Sequence, residues 1–244
     1  MTLRGAVALV TGGAKRVGRA VALALAARGA SVAITYRSSA AEADQLVRSL
    51  RRRRVRALAV RADHTDVAQI RAAVRAVERT LGPIDLLINS ASNFYPTPLA
   101  TVTEAQWDDL QQVNLRAPFF FAQAVAPGMR RRRRGKIINL ADVSAFSPWP
   151  SYLPYCTAKA GVIALTRGLA KALAPHIHVN AIAPGPILPP PGLSRAERRR
   201  ALANTLLKRW GSPDDIAHTV LYLAEGTDFV TGQVIAVDGG RLLA

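Results

Sequence analysis

The chain has 244 residues, half of them hydrophobic, with 33 Lys and Arg against 16 Asp and Glu and a net charge of +17. One cysteine excludes an internal disulfide, and no apolar run approaches the roughly 20 residues that span a bilayer, so a cytoplasmic protein with no membrane partner is expected. The length suits one large core, and without a Pro- or Gly-rich linker residues 1–244 read as a single domain.

Seven strand-like apolar runs, at 6–10, 31–36, 56–61, 84–89, 136–140, 178–183 and 233–237, alternate with helix-like segments at 17–28, 40–52, 67–81, 107–134, 154–173 and 213–224. That order predicts an α/β fold: a doubly wound, Rossmann-like parallel sheet of seven strands with helices on both faces. Pro118 and Pro127 predict a kink or early end inside the fourth helix. The stretch from Pro184 to Ser194, with five prolines and two glycines, cannot be regular and is a candidate flap over a site. The arginine runs 51–54 and 130–134 close helices, where cations suit the dipole and stay solvated; without interleaved aromatics they argue against a nucleic-acid partner.

Thr11 to Gly18 joins the first strand to the first helix, where the helix N-terminus and a close glycine backbone bind a pyrophosphate. Gly12, Val17 and Gly18 shape this turn, and Lys15 and Arg16 add cations. The second strand ends in Tyr36, Arg37, Ser38 and Ser39 instead of an acid, which predicts NADPH over NAD because an arginine beside hydroxyls suits a 2′-phosphate. Asp63 either accepts from an adenine amino group or caps the next helix. Tyr155 and Lys159 stand one helical turn apart, an arrangement in which the ammonium would lower the phenol's pKa. Asp142 lies thirteen residues before Tyr155. It either serves as an acid, caps the following segment or pairs with an arginine, while Ser144 is the alternative source of a hydroxyl. No histidine or cysteine cluster has metal-ligand spacing.

The turn, Asn89-Ser90-Ala91-Ser92, Asn114, Tyr155-x-x-x-Lys159, Pro184-Gly185 and Asp238-Gly239-Gly240 together resemble the short-chain dehydrogenase/reductase family across the whole chain. Within it, Arg16 at a usual glycine position, Asp142 at a usual serine position and Ser92-Asn93-Phe94-Tyr95-Pro96 after the fourth strand are similar to pteridine reductases. The resemblance implies hydride transfer from NADPH to a dihydropterin, in a homotetramer or dimer. Asp142 and Tyr155 would assist protonation, Lys159 would hold the nicotinamide ribose, and Asn114 would position a water or the lysine. Asn89, Ser90, Ala91, Pro184, Gly185 and Ile187 would border the cofactor. Arg16 and Ser92 would contact the substrate, and Phe94 would either stack on its ring or anchor its own loop. Trp149 and Tyr152 could line the entrance. The competing readings are a 3-oxoacyl-carrier-protein or other carbonyl reductase, and a non-catalytic, cofactor- or nucleic-acid-binding protein.

Overall fold

The computed structural model describes residues 1–189 and 194–244, with the side chains of 197, 198 and 200 outside the description. One parallel sheet runs β3-β2-β1-β4-β5-β6-β7, built from β1 (Val7–Val10), β2 (Ser31–Tyr36), β3 (Ala57–Arg61), β4 (Leu86–Asn89), β5 (Gly135–Leu140), β6 (Ile177–Pro184) and β7 (Val234–Val237). The helices are α1 (Arg16–Ala27), α2 (Ala40–Arg52), α3 (Val67–Leu81), α4 (Glu104–Gln111), α5 (Ala117–Arg131), α6 (Leu153–Leu173), α7 (Arg195–Ala203) and α8 (Pro213–Leu221).

Strand residues alternate between two packed layers. Ala8, Val10, Val32 and Ile34 face Val21, Leu25, Leu46 and Val220 of α1, α2 and α8. Val7, Leu9 and Ala33 face Val74, Val77, Phe121 and Val125 of α3 and α5. Both faces of the sheet are therefore covered by apolar layers, which is why the strands read as largely hydrophobic runs. β1 pairs with β2 on one side and β4 on the other, so the chain reverses its direction of winding there. The carboxyl ends of these two strands flank the crevice in which such sheets place ligands.

The fourth predicted helix is three elements. A capping box opens α4, with Thr103 Oγ1 accepting from Gln106 N at 3.3 Å and Gln106 Oε1 from Thr103 N at 3.0 Å. A π turn, Gln112–Arg116, then joins α4 to α5, in which Pro118 lies near the start and Pro127 inside. Pro118 has no N–H to offer the Asn114 carbonyl, so the regular ladder fails at this point. A second π turn, Tyr222–Gly226, follows α8.

The arginine runs are more than solvated ends: Arg51 donates to Ala57 O at 3.1 Å, Arg130 to Ala172 O at 2.6 Å and Arg132 to Ile84 O at 2.6 Å. Arg134 pairs with the buried Asp85 at 2.8 Å. The irregular stretch after β6 is described only up to Pro189, so the flap expected from its prolines lies partly outside the described residues. No helix among the described residues is long and apolar enough to cross a membrane.

Candidate functional site

A cleft of about 870 Å³ opens over the carboxyl ends of the strands. At its floor, Gly12 has φ +63°, and a Cβ there would lie 2.7 Å from Ala91 Cα, so only glycine lets the β1 and β4 loops meet. Gly12 N donates to Thr35 Oγ1 at 3.2 Å, and Ser90 N and Ala91 N both donate to Thr11 Oγ1, at 3.0 and 3.1 Å. Val17 and Gly18 line the cleft where α1 begins, and no side chain caps or acidifies the first turn of that helix. Its first amides are open to an anion. Arg16 holds φ +51°, the left-handed conformation that a glycine would take without strain.

The two cations are not both free at this turn, as the sequence suggested. Lys15 Nζ pairs with Glu42 at 2.7 Å, and Arg16 reaches across to Leu188 O at 3.4 Å. Tyr36, Arg37, Ser38 and Ser39 border the cleft at the end of β2, with Arg37 exposed.

Asp63 lines the same end but does not cap α3; Asp66 does, accepting from Ala68 N at 2.7 Å. Asp63 Oδ1 instead accepts from Thr65 N at 2.9 Å and Thr65 Oγ1 at 2.8 Å, and the backbone bond holds its carboxyl below the usual range. His64, which periodicity did not single out, is buried against Phe121 and lies 3.0 Å from Thr35 Oγ1 through Nε2. Burial pushes its pKa down to about 4, so the ring is neutral near pH 7.

Two expected site residues lie outside the cleft lining. Asn89 is buried beneath the floor, donating to Asn139 Oδ1 at 2.8 Å and Pro118 O at 3.4 Å, so it ties β4 to β5 and is not among the residues that line the cleft. Asn114, in the π turn, has no direct bond to Lys159. Its amide donates to Asn93 O and Leu110 O, both at 3.0 Å, and its Oδ1 accepts from Ser92 Oγ at 2.6 Å. It thus braces the loop after β4. Asp109 on α4 completes that brace, accepting from Asn93 Nδ2 at 2.9 Å and Tyr95 OH at 2.8 Å.

Asp142, Tyr155 and Lys159 meet at the end of β5. Tyr155 OH donates to Asp142 Oδ2 at 2.9 Å, while Asp142 Oδ1 accepts from Ser144 N at 2.8 Å and so also caps the short turn Val143–Ala145. No arginine pairs with Asp142 among the described residues. Burial raises its carboxyl above the ordinary range, against the pull of the Ser144 amide and Lys159. Lys159 Nζ donates to Leu140 O at 2.9 Å, and burial brings it down to about 8.

The expected depression of the Tyr155 phenol is not found. Burial and then the Asp142 carboxylate push it well up, and the ammonium lies 5.6 Å from the ring centre. Phenol and carboxyl together hold a proton in place of an ionised phenolate. Ser144 is fully buried and is not part of the cleft wall.

Above this group stands an aromatic wall. Phe94 stacks on Tyr152 with centroids 4.7 Å apart and 3° between planes, and meets Tyr155 edge-on at 4.9 Å. Tyr152 covers one face of Phe94, as the anchor reading expected, and the ring also lines the cleft. Cys156 packs beneath, its Sγ accepting from Trp149 N at 3.4 Å. Pro184, Gly185 and Ile187 close the β6 side, where a Cβ on Gly185 would meet Asp238 Cα at 2.6 Å. Trp210 and Arg241 complete the lining; the sequence offered no periodic signal for either.

A family model described as Enoyl-(Acyl carrier protein) reductase matches residues 12–241. The 3-oxoacyl-(acyl-carrier-protein) reductase FabG of Staphylococcus aureus is 37% identical over 240 residues, covering 97% of this chain and 98% of that protein. A blue fluorescent protein from a metagenomic library, crystallised with NADPH, is 36% identical with a TM-score of 0.91, covering 99% of each chain. FolM alternative dihydrofolate reductase 1 from Brucella canis, complexed with NADP, is 34% identical with a TM-score of 0.91, covering 100% of this chain and 97% of that one. With a matching family model over nearly its full length and relatives of this identity and coverage, the chain belongs to the short-chain dehydrogenase/reductase family.

Proposed function

We propose that this protein is an NADPH-dependent reductase of a flat nitrogen heterocycle of the dihydropterin class. The observation that carries the reading is the 2.9 Å bond from Tyr155 to a buried Asp142, a carboxyl placed beneath an aromatic wall. The cleft fits the dinucleotide: the uncapped start of α1 and the Gly12 cradle suit a pyrophosphate, Arg37 with Ser38 and Ser39 suits a 2′-phosphate, and Lys159 suits the nicotinamide ribose. When bound, that cofactor supplies the hydride.

The protein's own part is the proton. Reducing a ring C=N bond adds hydride to carbon and a proton to nitrogen. Asp142, its pKa raised by burial, holds that proton and passes it directly or through Tyr155, with solvent restoring it afterwards. Phe94, which lines the cleft, would hold the ring against the nicotinamide.

A second reading, reduction of a 3-oxoacyl thioester, has its own support: the curated relative at 37% identity and the family description both concern acyl-carrier substrates. The comparisons favour it over a pterin, and the carboxyl at 142 favours the pterin. NADPH oxidation with dihydrobiopterin, dihydrofolate and an acetoacetyl thioester, side by side for the wild type and Asp142→Ser, separates the two. The expected result is dihydropterin turnover that falls about 100-fold or more in the variant. Preferred turnover of the thioester, retained in Asp142→Ser, transfers the assignment to the second reading.

A further inference from the structure

The cleft has a charged wall that the hydride and proton chemistry leaves unused. Arg241 follows Gly240, whose N–H donates to Asp238 Oδ1 at 2.9 Å; Leu242 N donates to Asp238 Oδ2, also at 2.9 Å. The backbone on both sides of Arg241 is thus fixed, and its half-buried side chain faces the cavity that contains Asp142 and Trp210. One guanidinium nitrogen donates to Ala201 O at 3.3 Å, near the end of α7.

That bond alone would suit a brace on a helix C-terminus, but it uses one of five N–H donors. Among the described residues no carboxylate pairs with Arg241. A guanidinium partly withdrawn from water, with no carboxylate paired to it among the described residues and facing a ligand cavity, is matched to an anion that arrives with the ligand.

We propose that Arg241 recognises an anionic substituent on the substrate, a carboxylate or phosphate carried beyond the reacting group. This rests on the cleft's being a reductase site but not on which head group is reduced. The same chemistry is offered by a glutamate tail on a pterin and by the phosphates of a thioester carrier.

The test is ligand affinity to the NADP⁺-loaded protein for two matched pairs: folate against 6-methylpterin, and acetoacetyl-coenzyme A against acetoacetyl-N-acetylcysteamine. Within the pair that binds, the anionic member is expected to bind roughly tenfold tighter, as one charge-assisted contact allows. Arg241→Gln should abolish that ratio, Arg241→Lys should keep part of it, and added salt should reduce it in the wild type. Equal affinities within a pair, a ratio that survives Arg241→Gln, an equal fall for both members, or no binding of either pair overturns the proposal. Turnover of the same pairs reports the head group separately, so a wrong head-group assignment and a wrong role for Arg241 give different results.

Discussion

The two ends of the cleft are built from different materials. Around β1, β4 and the start of α1, the surfaces offered to a ligand are largely backbone: the amides of an uncapped helix turn and a glycine held at φ +63° against Ala91. Around β5 and α6 they are side chains, with a carboxyl, a phenol and an ammonium in a buried group and stacked aromatics above it. A backbone cradle tolerates changes in its neighbours but no added Cβ. A side-chain group can be rewritten at one position, as the carboxyl at 142 illustrates. The first end suits a ligand shared across a family and the second a ligand particular to this chain.

The sharpest way to break this contrast is at Asp142. Asp142→Asn removes the dissociable proton but keeps the shape, and turnover should fall about 100- to 1000-fold with NADPH affinity little changed. Because burial raises the carboxyl's pKa, the acid form persists to higher pH than an ordinary aspartate, and wild-type kcat/KM should decline as pH rises through that raised value. The variant should lack this limb in a pH–rate profile.

His64 tests the nucleotide end. Its folded pKa of about 4 lies below its ordinary 6.5, so the folded state excludes a proton that the unfolded state accepts. The stability it contributes is present above pH 6.5 and is lost as pH falls towards 4, by roughly 3 kcal/mol. Urea titrations across that window should show the slope, and His64→Leu should flatten it.

Smaller effects should follow from the cradle itself. Gly12→Ala forces both a left-handed backbone and a close approach to Ala91, and NADPH dissociation should rise about tenfold or more in direct binding. Arg37→Ser should cost less, about three- to tenfold in NADPH affinity with NADH unchanged, because the guanidinium is exposed and its pairing is screened.

What could be read beforehand follows the same physics. The strands were legible because both faces of the central strands are buried and the strand sequences are mostly apolar. Helix α7 was not, because Arg195–Ala203 is arginine and alanine with one glutamate and one leucine and carries no apolar stripe. The segment at 107–134 was read as one helix because composition does not reveal a π turn, and with that turn went the direction of Asn114. Asp142 was legible from its spacing to Tyr155, but the direction of the phenol's shift was not, because it depends on burial that spacing does not encode. His64 and Arg241 enter the cleft only through tertiary placement.

The π turn at Gln112–Arg116 also bears on how the chain can change. One extra residue per turn sets α5 out of phase with α4 by about 100°, so a nearly continuous rod presents Asn114 to the β4 loop and Phe121 to the core. Deleting any one of those five residues would take out the extra residue and rotate one half against the other, bringing either the loop brace or Phe121 out of position, while Pro118 would still lack the N–H that a regular ladder needs there. The turn works as a gear between site and core, and insertions or deletions there should be far less tolerated than substitutions.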